Sequence, residues 1–157
     1  MIRDDIHDAM IAAMRARDKE SLGAFRLIQS AIKNRDIEAR MEPAFRDGPR
    51  SDKDDDALVV GVLQGMVKQR RDSITMYRQG GREELAAAEE AEVAIIERFL
   101  PVPLSEDETK AAIEAIKVEL GASGMKDMGN VMATLKARHG MQLDMSKASR
   151  LVKAALS

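Results

Sequence analysis

Few residues in this chain have the type and spacing that chemistry requires. His7 and His139 lie far apart and have no partner at ligand spacing. There is no cysteine, which excludes thiolate-bound zinc, a cysteine nucleophile and a disulfide framework. No His-Glu-x-x-His pair, nucleophile elbow or glycine-rich dinucleotide fingerprint occurs. Asp54-Asp55-Asp56 offers three carboxylates but lacks the alternating ligands and glycine of a calcium loop. Carboxylates at this place are expected to cap a helix, favoured by the positive end of its dipole. Gly80-Gly81 resembles a phosphate loop only superficially. No strand precedes it and no Gly-Lys-Ser/Thr follows, so a turn between helices is expected. Other carboxylate pairs read as solvation and i,i+4 pairing on helix surfaces. No catalytic residue, metal or cofactor is assigned.

Charge is the remaining chemical signal. The formal net charge is −2, but from Glu83 to Glu114 ten acidic residues face only Arg98 and Lys110. From Ala122 to Ser157 six basic residues face only Asp127 and Asp144. A polyanion contact at the C-terminal end would use this asymmetry, although a surface of mixed sign needs no partner. Lys147, Arg150 and Lys153 stand three apart and form a stripe opposite Ala148, Leu151, Val152 and Ala155. One tyrosine, three phenylalanines and no tryptophan leave little to stack on unpaired bases. An RNA partner would therefore be structured and read through its phosphates and shape.

These residues must be held by helices, because apolar positions recur at helical spacing almost throughout and no period-2 run is found. Ile2, Ile6, Met10 and Met14 mark a first helix; Leu22, Phe25, Ile28 and Ile32 mark a second, running to about Arg40. Glu42-Pro43 through Gly48-Pro49-Arg50 breaks the pattern as a flexible loop. A long third helix follows from about Asp54 to Gln79, with Val59, Val62, Leu63, Met66 and Tyr77 inward. A fourth runs from about Arg82 to Leu100, with Leu85, Ala88, Ile96 and Phe99 on one side. Pro101 and Pro103 end it. Ser105 and Glu108 form a capping box that opens a short helix carrying Ile113, Ile116 and Leu120, closed by Gly121. Met128, Val131, Met132 and Leu135 mark the next, and the helix with the basic stripe is the last. Met125, Met128, Met132, Met141 and Met145 fill a core or line a pliable groove.

Arg70 falls in the middle of the third helix's apolar stripe, and Glu92 falls within that of the fourth, with Glu89 beside it. If Gly80-Gly81 reverses the chain, the two charges meet at one level of one interface. They are expected to form a structural ion pair, since a buried arginine needs a partner. Lys68 points the opposite way and Arg71 sits at the stripe's edge.

Three segments carry a family likeness. Val67-Lys68-Gln69-Arg70-Arg71-Asp72-Ser73-Ile74 with Gly80-Gly81-Arg82-Glu83-Glu84-Leu85 resembles the central signature of the YqeY family. Glu97-Arg98-Phe99-Leu100-Pro101-Val102-Pro103-Leu104-Ser105 is similar to its leucine-proline junction. Gly121-Ala122-Ser123 and Met125-Lys126-Asp127-Met128-Gly129-Asn130-Val131-Met132 resemble its C-terminal motif. The resemblance covers essentially the whole chain. That family is related to the tail domain of the B subunit of the bacterial tRNA-dependent amidotransferase, which grips tRNA while chemistry happens in other domains. One departure is the segment between the last two helices. It is rich in glycine and lysine in that tail, but in this chain reads Arg138-His139-Gly140-Met141-Gln142-Leu143-Asp144.

The resemblance implies an all-α protein: an elongated N-terminal helical domain over 1–100 with a long hairpin, then a compact three-helix module over 104–157. It implies a free-standing tail that binds or associates with tRNA and has no catalysis of its own. Lys126, Lys136, Lys147, Arg150 and Lys153 are the expected RNA contacts, with Lys68 and Arg71 as helpers. A helical protein-interaction module with a protein partner is the alternative. A component of a carbon–nitrogen ligase with glutamine as amido-N-donor comes third. No apolar run approaches the roughly 20 residues that span a bilayer. Nothing at Met1-Ile2-Arg3-Asp4-Asp5 reads as a signal, so a cytoplasmic place and no membrane contact are expected.

Overall fold

The structure is a computed structural model, and it describes residues 1–43 and 48–157. The loop expected between Glu42 and Arg50 falls partly on 44–47, outside the described residues. Among the described residues the fold is all-α, with seven helices: α1 Ile2–Ala16, α2 Lys19–Ala39, α3 Asp52–Gln79, α4 Glu83–Glu97, α5 Glu106–Leu120, α6 Met128–His139 and α7 Met145–Leu156. The chain divides into two compact units, Met1–Leu100 and Pro101–Ser157.

In the first unit, α1 to α4 meet around Phe25, Ile28, Ile32, Val59, Leu63 and Ile96. Each large side chain so buried stabilises the fold by about 1.5–3 kcal/mol. Phe25 meets Phe99 edge to face at a ring separation of 5.8 Å. α1 stops where Arg17 takes a left-handed conformation (φ 57). Asp18 then caps α2, its carboxylate accepting from the Ser21 amide. Ser51 caps α3 by accepting from the Asp54 amide. Gly81 (φ 71) makes the tight reversal into α4, and α3 and α4 pack as an antiparallel hairpin around Ile74, Ala86 and Val93.

Several inward positions differ from those the sequence suggests. Leu85 is 41% exposed and Ala88 is also exposed, while Ala86, Val93 and Ile96 are buried. α4 is thus turned by about one residue, because the small Ala86 gives α3 the closer approach. Met14 and Leu120 are exposed too, both in the last turns of their helices, where α1 and α5 leave their cores. Asp55, expected only to cap, is buried.

The second unit closes α5, α6 and α7 over Ile113, Ile116, Val131, Leu135, Ala148 and Val152. Ser105 accepts from the Glu108 amide and Gly121 (φ 64) ends α5 in a left-handed conformation. Asp127 accepts from the amides of Ser123 and Gly124, shaping the approach to α6. Asp144 caps α7. Met128 and Met132 pack on this core, whereas Met125 and Met145 are exposed.

Candidate nucleic-acid interface

The basic residues of the second unit fall into two groups. Arg138 on α6 reaches back to α5, both terminal nitrogens donating to Glu119 at 2.7 Å. That pairing holds the Glu119 carboxyl below its ordinary range and raises the guanidinium. Lys110 pairs with Glu106 at 3.2 Å. Lys117 pairs with Glu114 at 3.4 Å and donates to the Ala155 carbonyl at 2.8 Å, tying α5 to the end of α7. Lys126, Lys136, Lys147, Arg150 and Lys153 are all exposed and make no ion pair among the described residues.

Helix phase explains why three of these share a face. Ala148, Val152 and Leu156 are buried, which turns positions 147, 150 and 153 outward. Lys147 lies in the first turn of α7, where no acidic residue follows the cap. A cation at the positive end of a helix dipole is locally unfavourable, and an anion would relieve it. Lys147 and Arg150 also border a shallow depression of about 360 Å³, lined by Leu104, Leu143, Leu151 and Glu106 among others. Lys126 stands in the 3-10 turn Met125–Asp127 and Lys136 on α6.

In the first unit, Lys68 is exposed without an ion pair among the described residues. Arg71 reaches Glu97 at 2.6 Å, both half exposed, a surface pair worth under about 1 kcal/mol and easily exchanged for a phosphate. Arg70 is different. Its side chain is 14% exposed, and Nε donates to Glu92 at 2.9 Å with Glu89 at 3.8 Å. It is an inter-helix tie, turned away from solvent.

A second, part-buried charge cluster, with only Asp55 fully buried, joins the other end of this unit, and no motif in the sequence announces it. Arg3 makes a bidentate contact with Asp36 (2.8 and 2.9 Å) and another with Asp55 (2.9 and 3.1 Å). Arg50 adds contacts to Asp36 at 2.8 Å and to Asp55 at 3.4 Å. Hydrogen bonding to Arg3, then to Arg50, holds the Asp36 carboxyl below its usual range, and bonding to Asp36 and Asp55 raises the Arg3 guanidinium. Two arginines and two aspartates bond one another across three elements, so the cluster fastens α1, α2 and α3 together. The one signal in the sequence is Asp55 itself, four residues before Val59 and eight before Leu63 on the inward stripe.

A family model described as "Yqey-like protein" matches residues 3–156. The chain belongs to the YqeY family. Among curated proteins, the YqeY resemblance extends to "Altered inheritance of mitochondria protein 41, mitochondrial" of Vanderwaltozyma polyspora, 31% identical over 133 residues, which are 81% of this chain and 64% of that protein. The protein of the same description from Saccharomyces cerevisiae is 27% identical over 127 residues, 77% of this chain and 61% of its own. That of Kluyveromyces lactis is 31% identical over 126 residues, 78% and 60%. The chain spans about three fifths of the length of these relatives. Among the described residues no helix is long and apolar enough to cross a membrane.

Proposed function

We propose that this YqeY-family protein is a non-catalytic adaptor that binds folded tRNA through the outward face of α7. The observation that carries the reading is the set of five exposed cations in the second unit that make no ion pair among the described residues, three of them on one helix face. Lys126 and Lys136 extend the phosphate contact, and Lys68 and Arg71 are candidate helper contacts within the first unit. Such a surface recognises phosphate spacing, and the shortage of aromatic residues disfavours unstacked bases. The test is binding of labelled tRNA and of poly-U across a salt series. With about four phosphates neutralised, log K falls against log salt with a slope of roughly −3 to −4, and tRNA binds more tightly than poly-U. Lys147→Glu/Arg150→Glu/Lys153→Glu keeps its helicity and loses about tenfold or more in affinity. Salt-independent binding, or normal binding by the triple variant, rejects the reading.

The depression beside Lys147 and Arg150 favours a second reading, a helical module that receives a protein partner. In that case the triple variant loses a protein and not tRNA. A part in a glutamine-dependent carbon–nitrogen ligase rests on resemblance alone and comes third. The compartment proposed is a reducing one, the cytosol, with which a cysteine-free chain is compatible. The relatives described as mitochondrial make fractionation the deciding measurement.

A further inference from the structure

The outward surface of α2 sorts its residues by charge. Gly23, Leu27, Ser30, Asn34 and Ile37, with Met41 in the turn just past the end of the helix, follow one another at alternating steps of four and three, and not one is charged. That is the heptad spacing of a helix–helix seam, and it lies opposite the face that buries Phe25 and Ile32 in the core. Leu27 is 51% exposed, Ile37 53% and Met41 85%, so the described residues leave the seam uncovered. Isolated exposed apolar residues need no explanation, but Leu27 and Ile37 in register along one helix, with Met41 next in line just beyond its end, do. Gly23 adds an independent sign. A Cβ there would meet nothing within 4 Å, so no packing among the described residues calls for this helix-weakening residue. A glycine in the seam lets another backbone approach.

Along one edge of the seam run Arg26, Lys33 and Arg40, seven apart, exposed and without an ion pair among the described residues. We propose that this face of α2 docks an amphipathic helix of a partner protein, one that carries apolar residues in heptad register flanked by a row of carboxylates. The cationic row selects the acidic flank, as flanking charges select partners in coiled coils, and Ser30 and Asn34 fix the register at some cost in affinity. The other candidate occupants fit less well. An antiparallel second copy would set the cationic rows against each other. A parallel copy would oppose Arg26 with Ala31 and leave one attractive pair, Lys33 with Glu38. RNA gains nothing from Leu27, Ile37 and Met41. An anionic membrane would meet Glu20 in line with the seam and Glu38 along its other edge. The surface lies in the first unit and is independent of the tRNA reading.

The experiment uses the full chain and two labelled synthetic helices of about four heptads, leucine at the seam positions, with glutamate at the flanks of one and lysine at the flanks of the other. Fluorescence anisotropy should show the acidic helix binding about tenfold or more tightly than the basic one. Leu27→Asp/Ile37→Asp, exposed positions that leave the core intact, should lower that affinity by about tenfold or more while circular dichroism is unchanged. Arg26→Glu/Lys33→Glu/Arg40→Glu should transfer the preference to the basic helix. Binding of the acidic helix should survive Lys147→Glu/Arg150→Glu/Lys153→Glu, which separates this face from the proposed tRNA contact. Equal binding of both helices, or indifference to Leu27→Asp/Ile37→Asp, overturns the proposal. So does a dimer of the chain that this pair dissociates, or capture by phosphatidylserine vesicles that this pair abolishes.

Discussion

Buried charge decides two positions in the first unit, and the two are not equally legible. Arg70 can be placed from the sequence because it sits inside an apolar stripe and its partner lies across a recognisable turn. Asp55 sits in its stripe just as visibly, but Arg3 is 52 residues away, and Arg50, though near in sequence, stands before the helix where no helical pattern points. With its side chain 7% exposed, Asp55 has little water to fall back on. Asp55→Asn should therefore cost roughly 2–4 kcal/mol in urea unfolding, since it leaves two guanidinium groups short of charge. The pair Arg70→Met and Glu92→Leu should show a coupling of about 1 kcal/mol, less than for a dry pair because Glu92 keeps 33% of its side-chain surface in water. Asp36 gives a pH dependence. Its pKa is lowered on folding, so the unfolded chain binds the proton more readily. The stabilisation is complete above the ordinary carboxyl value of 3.8 and is lost as pH falls through the lower folded value. Acid unfolding of Asp36→Asn should lack that component, which a comparison of urea midpoints between pH 5 and pH 3 would reveal.

At the level of helices, pattern serves well where large apolar residues set the phase and poorly where alanine does. Ala86, Ala87 and Ala88 are interchangeable on paper, so Leu85 sets the expected face of α4. In the structure Val93 and Ile96 set it. The two phases predict opposite mutational outcomes. Leu85→Ala should change stability by less than about 1 kcal/mol, while Ala86→Leu should cost about 1–3 kcal/mol by overfilling the hairpin. Thermal melts of the two variants would distinguish the phases, and a costly Leu85→Ala would put Leu85, not Ala86, against α3. Caps are legible because their chemistry is local: Ser105 and Gly121 bracket α5 as their types suggest. The basic stripe on α7 is legible for the same reason, whereas the pairing that occupies Arg138 on α6 depends on Glu119 of another helix.

Across the whole chain, each unit has a core of its own, and Pro101–Ser157 keeps Ile113, Ile116, Val131 and Leu135 in contact without help from the first hundred residues. A fragment of that span is within the size at which domains begin to fold unaided. It should melt cooperatively by circular dichroism; a broad, non-cooperative trace would show that the second unit borrows stability. The first unit has a different character, because its charge cluster joins residue 3 to residue 55 and residue 36 to both Arg3 and Arg50. Contacts so distant along the chain are reached only after the intervening helices have been brought together, and closing such loops is slow to be rewarded. The cluster should therefore be absent from the rate-limiting folding barrier and present only on the native side of it. Its loss would leave the refolding rate almost unchanged and appear instead as faster unfolding, making Arg3, Asp36, Arg50 and Asp55 a latch that governs how long the folded state lasts.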